Sequence, residues 1–139
     1  EKIRLNDLGK LNLNDPPVEL LVLSACRTAV GNEQVELGFA GLTIQAGVNS
    51  ALASLWYVGD TATLGLMSQF YQELNTAQIK AEAIRQAQLN FIQGEVRLEQ
   101  DDIITPRGSI SLPPDISTTS QDLAHPYYWS GFTMVGSPW

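Results

Sequence analysis

Leu20-Leu21-Val22-Leu23-Ser24-Ala25-Cys26-Arg27-Thr28 decides how this chain is read. The run is apolar up to Leu23 and then turns to small residues. Pro16-Pro17 stands before it and Gly31 after it, so it reads as a strand buried on both faces. In open α/β sheets, ligands and chemistry gather outside the carboxyl ends of such strands. Cys26, the one cysteine of the chain, falls at that place. A thiol there is a candidate nucleophile. The alternative is a buried, inert cysteine, a common setting for a free thiol.

Outward from this strand, residues 1–17 read as a small helical turn leading to the two prolines. Phe39–Val48, with small residues at Gly41, Ala46 and Gly47, predicts a helix that packs closely on a sheet, with Gly47 as its C-terminal cap. Ser50–Trp56 reads as a second buried strand, completing a parallel strand–helix–strand crossover. Thr61–Leu74 carries apolar residues at Leu64, Met67, Phe70, Tyr71 and Leu74, a helical stripe with Asp60 or Thr61 as N-cap. A further helix spans Ala77 to about Gly94, with Ile79, Ala83, Ala87, Phe91 and Ile92 inward and Asn75 or Thr76 as its cap. Residues 95–124 turn charged and then rich in Pro, Gly, Ser and Thr, and read as one long surface loop. Phe132–Val135 reads as a short final strand of the same sheet.

Composition bounds the function. An apolar share of 44% with three Trp supports a packed core and argues against disorder. The net charge of −7, without a Lys/Arg cluster, argues against a nucleic-acid or anionic-membrane surface. No stretch approaches the ~20 apolar residues of a membrane span. No segment has metal-ligand spacing. A single cysteine permits no internal disulfide, which fits a reducing cytoplasm. Glu1-Lys2-Ile3-Arg4 contains neither an initiator Met nor a signal peptide, so the chain reads as a fragment whose natural start is upstream.

Three segments, in order, carry a resemblance. They are Leu21–Thr28, then Ala53-Ser54-Leu55-Trp56-Tyr57-Val58-Gly59-Asp60-Thr61-Ala62-Thr63, then His125-Pro126-Tyr127-Tyr128-Trp129-Ser130-Gly131-Phe132. Together they resemble the C-terminal part of a CHAT domain, the caspase-like module often found behind TPR repeats, notably in cyanobacteria. The stretches Leu66–Tyr71 and Ala83–Gln88 resemble it as well. The resemblance implies a caspase-like three-layer αβα sandwich around a mostly parallel sheet, with residues 1–139 forming part of one domain. It implies a cysteine endopeptidase of the caspase/separase kind, with Cys26 as nucleophile and a protein or peptide as substrate. It implies no cofactor and no metal, and an N-terminal TPR or other regulatory domain as partner.

Asp60, where related proteases hold an acidic residue after the second strand, is by that resemblance a pocket residue for a basic substrate side chain. A carboxylate suits the task, because it pairs with a guanidinium by charge-assisted bonds. Its other reading is helix capping. Trp56 is then a pocket wall or an ordinary core residue. Arg27 and Ala29 depart from the family pattern without removing the thiol. The larger departure concerns the base. Family members carry a catalytic His in a His-Gly turn upstream of the Cys strand, and nothing of that kind precedes Cys26. His125, the one histidine, lies in a different motif and reads as a stabiliser of the last strand. This chain alone is therefore expected to be inactive. A non-catalytic caspase-like scaffold acting through protein contacts is the competing reading. Ser24–Gly31 also resembles the Ala-Arg-Thr-x-x-Gly opening of thiolases, which need a second reactive Cys that this chain does not have.

Overall fold

Leu21–Leu23 forms strand β1, which pairs in parallel with β2, Ser50–Ser54, in the register Leu21↔Ala51, Val22↔Leu52, Leu23↔Ala53. The computed structural model describes residues 10–11, 13–24, 40–116 and 121–139. Between β1 and β2, residues 40–45 are helical and are here α1. The elements that follow are α2, Asp60–Leu74; α3, Lys80–Ile92; β3, Arg97–Glu99; β4, Asp102–Thr105; β5, Gly108–Ser111; a 3-10 turn, Pro126–Tyr128; and β6, Phe132–Gly136. They divide into two units, Glu1–Tyr57 with Phe132–Pro138, and Val58–Gly131 with Trp139.

The first unit is built on the sheet β1-β2-β6, in which β6 runs antiparallel to β2 with Ser54 opposite Phe132 and Ser50 opposite Gly136. Phe132–Val135 does join the sheet of Ser50–Ser54, as its sequence indicates. β2 is the middle strand and every one of its residues is buried. β1 is only half-buried, against the expectation of a fully buried strand, because among the described residues it has a strand neighbour on one side alone. Ala40, Ala51 and Ala53 form the core here, with Leu23, Ile44 and Val135 packed on them. Small residues let α1 lie close to the sheet. Its end follows a Schellman pattern: the Val48 N–H donates to Thr43 O at 3.1 Å and the Gly47 N–H to Ile44 O at 3.0 Å. Gly47 holds φ +102°, so the cap expected from the sequence is in place.

The second unit packs α2 against α3. Its inner faces are Ala62, Gly65, Leu66, Gln69 and Phe70 on α2, and Ala83, Ile84, Ala87, Asn90 and Phe91 on α3. The apolar stripes expected from the sequence are corrected by this. Tyr71 and Ile92 are about half exposed, and the polar Gln69 and Asn90 are inside instead. Mutual satisfaction explains the exchange. Asn90 Nδ2 donates to Gln69 Oε1 at 3.0 Å, Gln69 Nε2 to Gln72 Oε1 at 3.2 Å, and Gln86 Nε2 to Asn90 Oδ1 at 3.1 Å. Paired amides tolerate burial that lone ones do not.

The helix caps also differ from expectation. Ile79 precedes α3, while Asn75 and Thr76 close α2: Asn75 Nδ2 donates to Tyr71 O at 3.0 Å and Thr76 Oγ1 to Glu73 O at 3.2 Å. Short polar side chains satisfy the carbonyls left open at a helix end as readily as the N–H groups at a start.

Residues 95–124, read as a loop, contain a three-stranded antiparallel meander, β3-β4-β5. Leu98, Ile103 and Ile110 lie opposite one another across it, and Ile103 is fully buried. A Cβ at Gly65 of α2 would stand 3.5 Å from Ile103 Cγ2 and 3.3 Å from Phe91 Cζ, so the meander packs on the helix pair. Two-residue turns at Gln100-Asp101 and Pro106-Arg107 link the strands. The strands are only three or four residues long, with charged and Ser residues on the outer face, which hid the alternation. The fold is mixed α/β, with one small sheet parallel in part and the other wholly antiparallel.

Candidate active site

Because β1 and β2 are parallel and in the register Leu23↔Ala53, both strands deliver the chain at the same edge of the sheet. Ser24, the residue after β1, is exposed. Cys26 lies two residues further on and outside the described residues, as do Arg27 and Ala29.

Beyond β2 the chain bends sharply. The Ser54 hydroxyl donates to the carbonyl of Trp56, which takes the place of a strand partner for that carbonyl and ends β2 at Ser54, two residues short of the extent read from the sequence. Trp56 is half-buried and Tyr57 exposed. Trp56 belongs to the first unit and Asp60 to the second.

Asp60 opens α2, and its position corrects the N-cap reading. Gly59 is the N-cap, with no side-chain capping bond, and Asp60 is the first helical residue and exposed. The Thr63 N–H donates to Gly59 O at 3.0 Å, and the Thr63 hydroxyl to Val58 O at 3.3 Å. A carboxylate in a first helical turn interacts favourably with the partial positive charge there, which accounts for Asp60 without any ligand. It also leaves the carboxylate in solvent, free of a capping role.

His125 is the N-cap of the 3-10 turn Pro126–Tyr128. Its Nδ1 accepts the Tyr127 N–H at 3.2 Å, and its carbonyl accepts the Tyr128 N–H at 3.0 Å. The turn is fixed further by Trp129 Nε1 donating to Ala124 O at 3.0 Å and by Gln88 Nε2 of α3 donating to Trp129 O at 3.1 Å. The imidazole thus stabilises the segment leading into β6, through a turn and not through the strand itself. Around this turn, Gln121, Asp122, His125, Tyr127 and Tyr128 line an open groove of about 320 Å³. In the sequence, the adjacent pair Tyr127-Tyr128 is the signal that could mark this groove.

Among the described residues, no group of three or more His, Cys, Asp and Glu is placed to hold a metal ion. No helix among them is long and apolar enough to cross a membrane. No curated protein and no solved structure matches the chain. The family model of the CHAT domain matches residues 1–137, nearly the whole sequence and all three of the segments that carry the resemblance. The chain belongs to the CHAT domain family, a caspase-like family.

Proposed function

We propose that this chain is the nucleophile-bearing part of a caspase/separase-like cysteine endopeptidase that cleaves after basic residues. The observation that carries the reading is the parallel register of Leu23 with Ala53. It supports a common edge for the chain that runs on toward Cys26 and the chain that runs on to Trp56. In the intact domain, β1 and β2 extend into a mostly parallel sheet between two helical layers, and an upstream His-Gly turn supplies the base. The substrate is a protein or peptide, and a TPR or other regulatory domain precedes the catalytic one.

The Cys26 thiolate attacks the scissile carbonyl carbon, forming a C–S bond while backbone N–H groups hold the oxyanion. The upstream imidazole, having taken the thiol proton, returns it to the leaving amine as the C–N bond breaks. Water then hydrolyses the thioester, releasing the acid and restoring the thiol. Asp60 pairs with the substrate guanidinium or ammonium, and the Trp56 ring covers its aliphatic stem.

Covalent labelling by an arginyl electrophilic peptide, on a protein that includes the upstream segment, tests this. Labelling that disappears in Cys26→Ala supports the peptidase. Labelling no faster than that of an ordinary thiol, with the regulatory domain present, favours a scaffold acting through protein contacts. One observation already points toward that second reading: the sole histidine of this chain is engaged as a turn cap.

A further inference from the structure

We propose that the groove around the Pro126–Tyr128 turn is a docking site for an arginine side chain presented by a partner polypeptide. Its walls are aromatic and mutually tilted. The rings of Tyr127 and Tyr128 are 5.4 Å apart at 84°, and those of His125 and Tyr128 are 6.4 Å apart at 73°. In these edge-to-face pairs the edge of one ring lies on the face of the other, and the ring faces left open attract a cation by their quadrupoles.

Among the described residues of the lining the acidic group is the carboxylate of Asp122, and it is held in place. Its Oδ1 accepts the Ala124 N–H at 3.1 Å, which leaves Oδ2 for a ligand, and its carbonyl accepts the His125 N–H at 3.0 Å. The backbone that carries the walls is tied as well, by the His125 cap and by the Trp129 and Gln88 bonds. A rigid site spares the ligand the cost of ordering it.

Size and charge identify the occupant. About 320 Å³ is the small end of the range for ligand pockets, and the groove is open, which suits one side chain of a polypeptide better than an enclosed small molecule. A planar guanidinium stacks on a ring face while its edge N–H groups reach a carboxylate, a combination an ammonium does not offer. The net charge of −7 draws basic segments toward the chain in general, and the groove gives them a specific place. The proposal does not rest on Cys26 chemistry.

The test uses a fluorescent peptide with one arginine, and its twin with citrulline in that place, binding to the full-length protein. Cys26→Ala and Asp60→Ala are both present, so that the proposed active-site pocket contributes nothing. The arginine peptide is expected to bind at least about fivefold more tightly than the citrulline peptide. Asp122→Asn keeps the acceptor for Ala124, and Tyr127→Leu leaves the backbone N–H that His125 caps. Each is expected to remove most of that preference with unchanged thermal unfolding. Equal binding of the two peptides, or an arginine preference that survives both variants, would overturn the proposal.

Discussion

Asn90 of α3 donates to Gln69 of α2 at 3.0 Å, and both side chains are shut away from water. A buried amide pair of this kind fixes the register of one helix on the other, since any slip costs each desolvated amide its bond across the helix pair. Asn90→Leu strands Gln69 and is expected to lower stability by about 1–3 kcal/mol in urea unfolding. The double variant Gln69→Leu with Asn90→Leu should lose clearly less than the sum of the two single variants.

Gly47→Ala places a Cβ at φ +102° and against the side chain of Asn14. Destabilisation of about 1 kcal/mol or more is expected, read as a lower unfolding midpoint. Gly41→Ala, where a Cβ meets nothing within 4 Å, is the matched control and should be neutral or stabilising.

Asp60→Asn tests substrate pairing with little disturbance of α2, because Asp60 makes no capping bond. Labelling of Cys26 by an arginyl electrophile should slow by about tenfold or more, the scale of losing a charge-assisted bond. Labelling by a neutral electrophile should stay as it was. Parallel loss with both reagents would point to a folding effect.

His125→Ala removes the acceptor for the Tyr127 N–H and is expected to cost about 0.5–1 kcal/mol, with His125→Asn recovering part of it. Cys26 labelling in the protein carrying the upstream segment should be unaffected. A loss of labelling at unchanged stability would make His125 the base and refute its assignment as a cap.

Glu82 and Arg85, one turn apart on α3, are joined at 2.9 and 3.0 Å. The Arg85 guanidinium, mainly through these hydrogen bonds, holds the Glu82 carboxyl below its ordinary value of 4.5, and Glu82 in turn raises Arg85. A depressed carboxylate contributes stability above its unfolded pKa and loses it as pH falls through the folded one. The pair therefore weakens only on the acid side of 4.5. A carbon-detected titration of Glu82 should move up to the ordinary value in Arg85→Ala, with the unfolding midpoint at neutral pH little changed, since both side chains are exposed.

The sequence was most legible where elements are long or strongly apolar. Val22–Leu23, Ala51–Ala53 and the helices of Leu66 and Ala87 declare themselves, and so does Gly47 at its turn. It was least legible where polar residues go inside as pairs. Gln69 and Asn90 are twenty-one positions apart in the chain, and their partnership exists only once α2 and α3 meet. The meander of Leu98, Ile103 and Ile110 failed for a different reason, since its strands are too short for periodicity to rise above their charged neighbours. Of the candidate site, the sequence located the end of β1 beyond Leu23 and set the end of β2 two residues past Ser54. The exposed carboxylate of Asp60, freed from capping by Gly59, and the imidazole of His125, committed to a turn, emerged only from the backbone geometry around them.

The placement of β6 has a bearing on biosynthesis. β2 is central, yet one of its two neighbours comes from residues 132–136, after the whole of 58–131 has been threaded in between. On the ribosome, the helix pair and meander have all their own residues available well before the nascent chain can close the sheet beside Ser50–Ser54. Until it does, the most buried strand of the first unit presents a bare row of N–H and C=O groups, the period in which a chaperone, or a mispaired copy, would find it.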